Sequence, residues 1–108
     1  MKAWPTAGRA DRRDSPEKRV DRAVMAYLQM RHWHVTRLQQ TRASKITPGV
    51  PDLYIMRPGH GAYWVELKAP GGRLSRYQEA WHLMARAAGV RVLVVTSAAE
   101  LAAALEVL

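Results

Sequence analysis

Residues 49–78 read GVPDLYIMRPGHGAYWVELKAPGGRLSRYQ, and this stretch decides the fold. Gly49 and Pro51 punctuate the entry to a strand over 52–56. Pro58-Gly59-His60-Gly61 then turns the chain back into a second strand over 62–68, which predicts a β-hairpin with a four-residue loop. Asp52 begins the first strand, while Glu66 and Lys68 end the second. Side chains alternate faces along a strand, so Glu66 and Lys68 point one way and Val65 and Leu67 the other. Two carboxylates and an ammonium therefore converge near strand ends, in a setting rich in Val, Leu, Ile, Tyr and Trp. Desolvation makes such a cluster a poor source of stability. It is well suited to holding a metal.

The flanking sequence supplies the remaining elements. Ala69-Pro70-Gly71-Gly72 stops the second strand. Ser75 can N-cap a helix whose apolar positions Tyr77, Trp81, Met84, Ala85 and Ala88 keep a 3.6-residue period, with Gly89 as terminator. VRVLVV (90–95) is a nearly continuous apolar run, expected to be a strand buried on both faces. Ser97-Ala98-Ala99-Glu100 is a capping box that opens a final short helix. Upstream, Ser15-Pro16-Glu17 starts a helix with an N-cap, a proline at N1 and a first-turn acid. Val20, Val24, Tyr27 and Leu28 give that helix a core stripe, and WHVTRL (33–38) reads as a strand. The polar, basic segment 39–48 has no period and is long for a plain connection. The order is αβββαβα: an α/β domain with a mixed central sheet over 15–108, preceded by a basic N-terminal arm over 1–14.

Charge suggests the partner. The 108 residues carry a formal +8, unevenly placed: residues 1–50 hold eleven Lys/Arg against four Asp/Glu, whereas 51–108 hold six against five. A basic excess confined to one half fits a polyanion better than a solubilising coat, and the phosphate backbone of nucleic acid is the commonest polyanion. Arg37, Arg42, Lys45, Arg73 and Arg76 are the candidate phosphate contacts, and each also has an ordinary reading as a solvated charge. There is no cysteine, so disulfides and thiolate metal sites are excluded. No apolar run approaches a membrane span and the first residues lack a signal-peptide core. An intracellular protein, cytoplasmic or nucleoid-associated, is the expectation.

Phosphodiester hydrolysis needs an attacking water, neutralised charge on the phosphoryl group and a stabilised leaving oxygen. A divalent cation can serve all three. Mg²⁺ takes oxygen ligands and keeps several waters, so Asp52, Glu66 and the backbone carbonyl of Leu67 suffice, with Mn²⁺ as substitute. Lys68, sharing the face of Glu66, can orient the water, stabilise developing negative charge or accept a proton.

Pro51-Asp52 followed by Glu66-Leu67-Lys68 resembles the signature of the PD-(D/E)xK nucleases. The runs Gly49-Val50-Pro51-Asp52-Leu53, Trp64-Val65-Glu66-Leu67-Lys68, Gly72-Arg73-Leu74-Ser75 and Gln78 look like the VRR-NUC family in consecutive register. The resemblance spans roughly residues 15–96. It implies a restriction-endonuclease-like core and a Mg²⁺-dependent endodeoxyribonuclease. Asp52 and Glu66 would be metal ligands, Lys68 the catalytic lysine, and Gln78 an accessory residue orienting the lysine or water. Glu17 would match the acid on the family's first helix, joining the metal shell through water. Stand-alone members, as in phages and bacteria, look like homodimers that cut branched DNA such as four-way junctions. Two departures stand out: Asp21 replaces a frequent Gln, and the segment after Arg37 lacks the usual Asn-x-Gly.

Plainer readings stand beside these. Glu17 can serve only the helix dipole, and Gln78 can merely border a helix face. The four histidines have no partners at ligand spacing and are taken as surface or DNA-facing. Trp33, Trp64 and Trp81 read as core or interface aromatics, and Trp4, in the arm, could stack on a base. A non-catalytic nucleic-acid-binding module of the same fold is the alternative function. A basic RNA-binding protein would explain the charge but leave the carboxylate–lysine cluster without a purpose.

Overall fold

The computed structural model describes residues 14–38 and 47–107. Its elements are α1 (Pro16–Met30), β1 (His34–Arg37), β2 (Leu53–Arg57), β3 (Gly61–Leu67), α2 (Arg76–Ala87), β4 (Val92–Val95) and α3 (Ala98–Val107), in the expected αβββαβα order. The sheet runs β1-β2-β3-β4. The first three strands are antiparallel neighbours, and β4 lies parallel to β3. A parallel pair requires a crossover connection, which α2 supplies. Arg57 pairs with Gly61, so the hairpin loop is residues 58–60, one residue shorter than expected.

Local chemistry sets the helix ends. Ser15 Oγ accepts from Lys18 N, with Pro16 at the first helical turn of α1. At its far end, His32 adopts a left-handed φ of 66° while Trp33 N donates to Leu28 O, closing the helix where glycine is the usual residue. Helix α2 starts with a complete Ser75–Gln78 capping box. At α3, Ser97 Oγ accepts from Glu100 N, but the Glu100 carboxylate reaches Thr96 N rather than Ser97.

The core lies on one side of the sheet. Val20, Val24 and Leu28 of α1, together with Leu101 of α3, pack on Leu53, Ile55, Tyr63, Val65, Leu67 and Val95. These strand residues alternate, as a sheet face demands. Among the described elements, the other side is covered by α2, which sits chiefly over β4.

Two expectations about this second side need correction. Strand β4 has β3 as its one described neighbour and is not buried on both faces: Val92 is covered by α2, but Val94 is 38% exposed. The stripe assigned to the core side of α2 is buried only at Ala85, and the other buried position of the helix is His82. Tyr77 and Met84 are exposed, Ala88 also faces out, and Trp81 is half-buried. The expected arm over 1–14 lies outside the described residues except Asp14, which pairs with Arg22. Most of the polar segment 39–48, with Arg42 and Lys45, also lies outside them. No helix among the described residues is long and apolar enough to cross a membrane.

Candidate active site

The hairpin register assembles the site. Leu53 pairs with Val65, so continuing the antiparallel register by one residue sets Asp52 opposite Glu66. Asp52 is fixed by its own strand neighbourhood: its Oδ2 accepts from Leu67 N at 2.8 Å, and its carbonyl accepts from Leu38 N. The preceding turn is equally constrained. Gly49 has φ +90°, and a Cβ there would stand 2.2 Å from Tyr77 O in the first turn of α2. Only glycine meets both demands, so the chain entering Asp52 lies directly against the start of α2.

Helix α2 brings two polar side chains onto Glu66, which is 2% exposed. Gln78 divides its amide: Oε1 accepts from Ser75 N at 2.7 Å to cap the helix, and Nε2 donates to Glu66 Oε2 at 3.0 Å. Gln78 was expected to orient Lys68 or water. Its observed partner is the Glu66 carboxylate. One turn on, His82 places Nε2 3.7 Å from Glu66 Oε1. His82 is 4% exposed, which corrects the assignment of all four histidines to the surface. His32, His34 and His60 are exposed as expected.

The electrostatics follow from burial. Glu66 is pushed up to about 8, first by desolvation and then by the charge of the neighbouring Asp52 carboxylate. Lys68 opposes this shift and Glu17 adds to it. Glu17, although exposed in the first turn of α1, is thus close enough for its charge to act on the site. His82 is held below its usual range by burial, then by the charges of Arg86 and Lys68. Gln78 and His82 therefore meet Glu66 beside Asp52, and the charges of Lys68 and Glu17 act on the same carboxylate.

Arg37 was expected on phosphate. In the structure its two terminal nitrogens grip Asp21 at 2.8 and 2.9 Å, and its charge also reaches Asp52. The hydrogen bond from Arg37 lowers the Asp21 pKa. Asp21, the departure from the family pattern, thus has a clear structural role. Arg73 and Arg76 are exposed beside the start of α2. A half-buried aromatic row lies next to Glu66, with ring centroids 4.8 Å apart for Tyr54–Trp64 and 5.3 Å for Trp64–Trp81. Trp33 is in the core. A larger cavity of about 590 Å³, lined in part by Tyr27, Arg31, Arg57 and His60, lies toward the opposite strand ends and away from the carboxylates.

The donor set fits a hard divalent cation. Two adjacent carboxylates disfavour each other's charge, and Glu66 Oε1 is buried without a hydrogen-bond partner. A cation would relieve both conditions. Among the described residues, no three His, Cys, Asp or Glu side chains are grouped closely enough to hold a metal. Two carboxylates with waters suit Mg²⁺ better than Zn²⁺.

Comparison with known proteins agrees with this geometry. No curated protein matches the chain. A solved structure described as a "VRR_NUC domain" superposes with a TM-score of 0.70 at 25% identity, covering 85% of this chain and 96% of that one. The model of the VRR-NUC domain matches residues 6–99, a span that contains Asp52, Glu66, Lys68 and Gln78. The comparisons imply a nuclease-type fold, and the chain belongs to the VRR-NUC domain family.

Proposed function

We propose that the protein is a Mg²⁺-dependent endonuclease that hydrolyses DNA phosphodiester bonds, selects branched DNA and acts as a homodimer. The observation that carries this is the pairing of Asp52 with a buried Glu66 whose Oε1 has no protein partner, with the charge of Lys68 acting on the same carboxylate. Asp52, Glu66 and the Leu67 carbonyl would hold the cation, with Glu17 contributing through water and Mn²⁺ able to substitute. When bound, the ion supplies a Lewis acid for the phosphoryl group and makes a water more acidic.

The protein groups do the rest. Leu67 N–H fixes one Asp52 oxygen and Gln78 fixes one Glu66 oxygen, so both carboxylates enter the reaction preorganised. Lys68, half-exposed just beyond β3, can donate to a non-bridging phosphate oxygen as charge develops or orient the attacking water. The exposed Arg73 and Arg76 can contact the DNA backbone, and Arg37, Arg42 and Lys45 are further candidates for phosphate. A two-fold dimer would present two such centres to symmetric strands of a junction.

The test is a cleavage panel of labelled four-way junction, flap, splayed arm and linear duplex. Cleavage should require Mg²⁺ or Mn²⁺, stop with EDTA, and favour the junction. D52A, E66A and K68A should each lose at least ~100-fold. Tight, salt-sensitive binding without cleavage of any substrate would instead identify a binding module. Equal cutting of all four substrates would remove the branched-DNA preference.

A further inference from the structure

Glu66 is held from one side only. Gln78 Nε2 occupies Oε2 at 3.0 Å, whereas Oε1 is buried and has no hydrogen-bond partner. Facing Oε1 at 3.7 Å is His82 Nε2, and neither ring nitrogen of His82 has a hydrogen-bond partner. Unpaired buried polar atoms are rare in folded proteins because each forfeits its hydration without return. Here two such groups stand face to face. A separation of 3.7 Å is too long for an N–H···O bond and too short to admit a bridging water. Closure therefore needs a shift of less than 1 Å, on the scale of a small side-chain rotation.

The placement follows from α2. Gln78 and His82 are one helical turn apart and so project from one face of the helix. That face is turned toward β3, where Glu66 stands between its core-facing neighbours Val65 and Leu67. An apolar residue at 82 would pack there at least as well as an imidazole with two unsatisfied nitrogens. The polar choice is explained by what it faces.

We infer that His82 is a positioning residue for Glu66: its Nε2–H closes onto Oε1 when the carboxylate engages the metal, so α2 grips both carboxylate oxygens. This rests on the metal-centre assignment above. An ionised carboxylate oxygen has two lone pairs, so one N–H leaves the other free for a ligand. With a donor on each oxygen, the carboxylate plane is fixed and its rotation is removed from the work of binding. His82 touches neither phosphate nor water in this role. It acts through Glu66.

The unaltered protein gives the first test. In protein with ¹⁵N-labelled histidine, the ring spectrum of His82 should show the Nε2–H tautomer, and its N–H proton should shift on addition of Mg²⁺. The exposed His32, His34 and His60 should not respond. A Nδ1–H tautomer in the Mg²⁺-bound protein would overturn the assignment. The second test is Mn²⁺ affinity by calorimetry without DNA, using H82L and H82Q, each checked by thermal unfolding in EDTA. H82L should bind about 10-fold or more weakly, the range for losing a residue that supports a ligand. H82Q, which keeps a donor near Nε2, should recover most of that loss. H82L binding as tightly as the native protein, or H82Q losing as much as H82L, would overturn the role of His82 alone. A native protein that takes up no Mn²⁺ would overturn the metal centre and this inference with it.

Discussion

The two faces of β3 are built for different purposes, although they come from alternate residues of one strand. Tyr63, Val65 and Leu67 turn toward α1 and α3 into an apolar core. Trp64 and Glu66 turn the other way, toward α2, where the buried contacts are Gln78 and His82. The first face gathers apolar area, and its one hydroxyl among these three residues, that of Tyr63, accepts from Arg91. The second buries a carboxylate beside another carboxylate, which raises Glu66 to about 8. The fold thus draws its stability from one side of the sheet and tolerates strain on the other. A stable scaffold is what lets an unfavourable arrangement persist.

The largest expected effect tests the stabilising side. Leu53 is fully buried within the core cluster. Leu53→Ala should lower the unfolding free energy by about 2–5 kcal/mol in urea titrations. A loss under about 1 kcal/mol would mean that this face does not carry the stability.

The next effect should have the opposite sign and depend on pH. The folded-state pKa of Glu66 lies above its usual 4.5, so the native protein binds an extra proton between about 4.5 and 8. Stability contributed by the neutral carboxyl is fully present below 4.5 and is lost as pH rises through about 8. In EDTA, native protein should therefore weaken across that window, while E66Q should not. At pH 9 E66Q should be the more stable by on the order of 3 kcal/mol, with the gap closing by pH 4.5. Added Mn²⁺ should reverse the ranking, because the cation favours the ionised carboxylate, and its uptake should release protons. Parallel pH curves for the two proteins would erase the contrast between the faces.

How much of this was legible in the sequence differs between the faces for a physical reason. The two-residue period of a strand and the short hairpin connection are local properties, so Asp52, Glu66 and Lys68 could be placed together from spacing alone. Ser15, Ser75 and Pro16 announced their helix ends in the same way. Helix α2 was harder. Its expected apolar stripe runs through positions 77, 81, 84, 85 and 88, whereas the side turned to the sheet carries 78, 82 and 85, so the two share only Ala85. Choosing the apolar stripe as the buried face follows the usual periodicity argument. It fails here because the sheet surface beneath α2 carries a carboxylate that needs donors. The signal available was Gln78 and His82 at i, i+4 spacing beside an expected acidic site. Their approach to Glu66 depends on how α2 sits on the sheet, which no local pattern encodes. The partner of Arg37 was hidden for a related reason, since Asp21 comes from a different element 16 residues earlier.

A smaller effect is expected where the two sides meet. Arg37 extends beyond the core and is clamped by Asp21 of α1, with side chains 43% and 33% exposed. The pair is well aligned but open to solvent, so D21N should cost about 0.5–1 kcal/mol at neutral pH. The Asp21 pKa is depressed in the folded state. Its contribution is therefore present above the ordinary carboxylate range and lost as pH falls through the lowered folded value. D21N and native protein should accordingly converge in acid, a trend opposite in direction to that of E66Q. In cleavage assays D21N should reveal whether the charge of Arg37, which reaches Asp52, acts best when held in place.

The smallest effect is predicted for the outward side of α2. Leu83 and Met84 are each 74% exposed, and a shallow apolar cavity of about 250 Å³ lies between Met84, Trp64 and Trp81. If the buried side of α2 is the polar one, adding charge to its outer side should hardly matter. L83K and M84K should each change stability by no more than about 0.5 kcal/mol. A loss of several kcal/mol at low protein concentration would show that this stripe is packed within the single chain, and the assignment of the faces of α2 would be wrong. A loss that appears only as concentration rises would instead mean that a second copy covers the stripe, since mutations at an interface are felt only where the interface forms. In that case Trp64 would link the two regions, lying beside Glu66 on one strand face and lining the covered cavity.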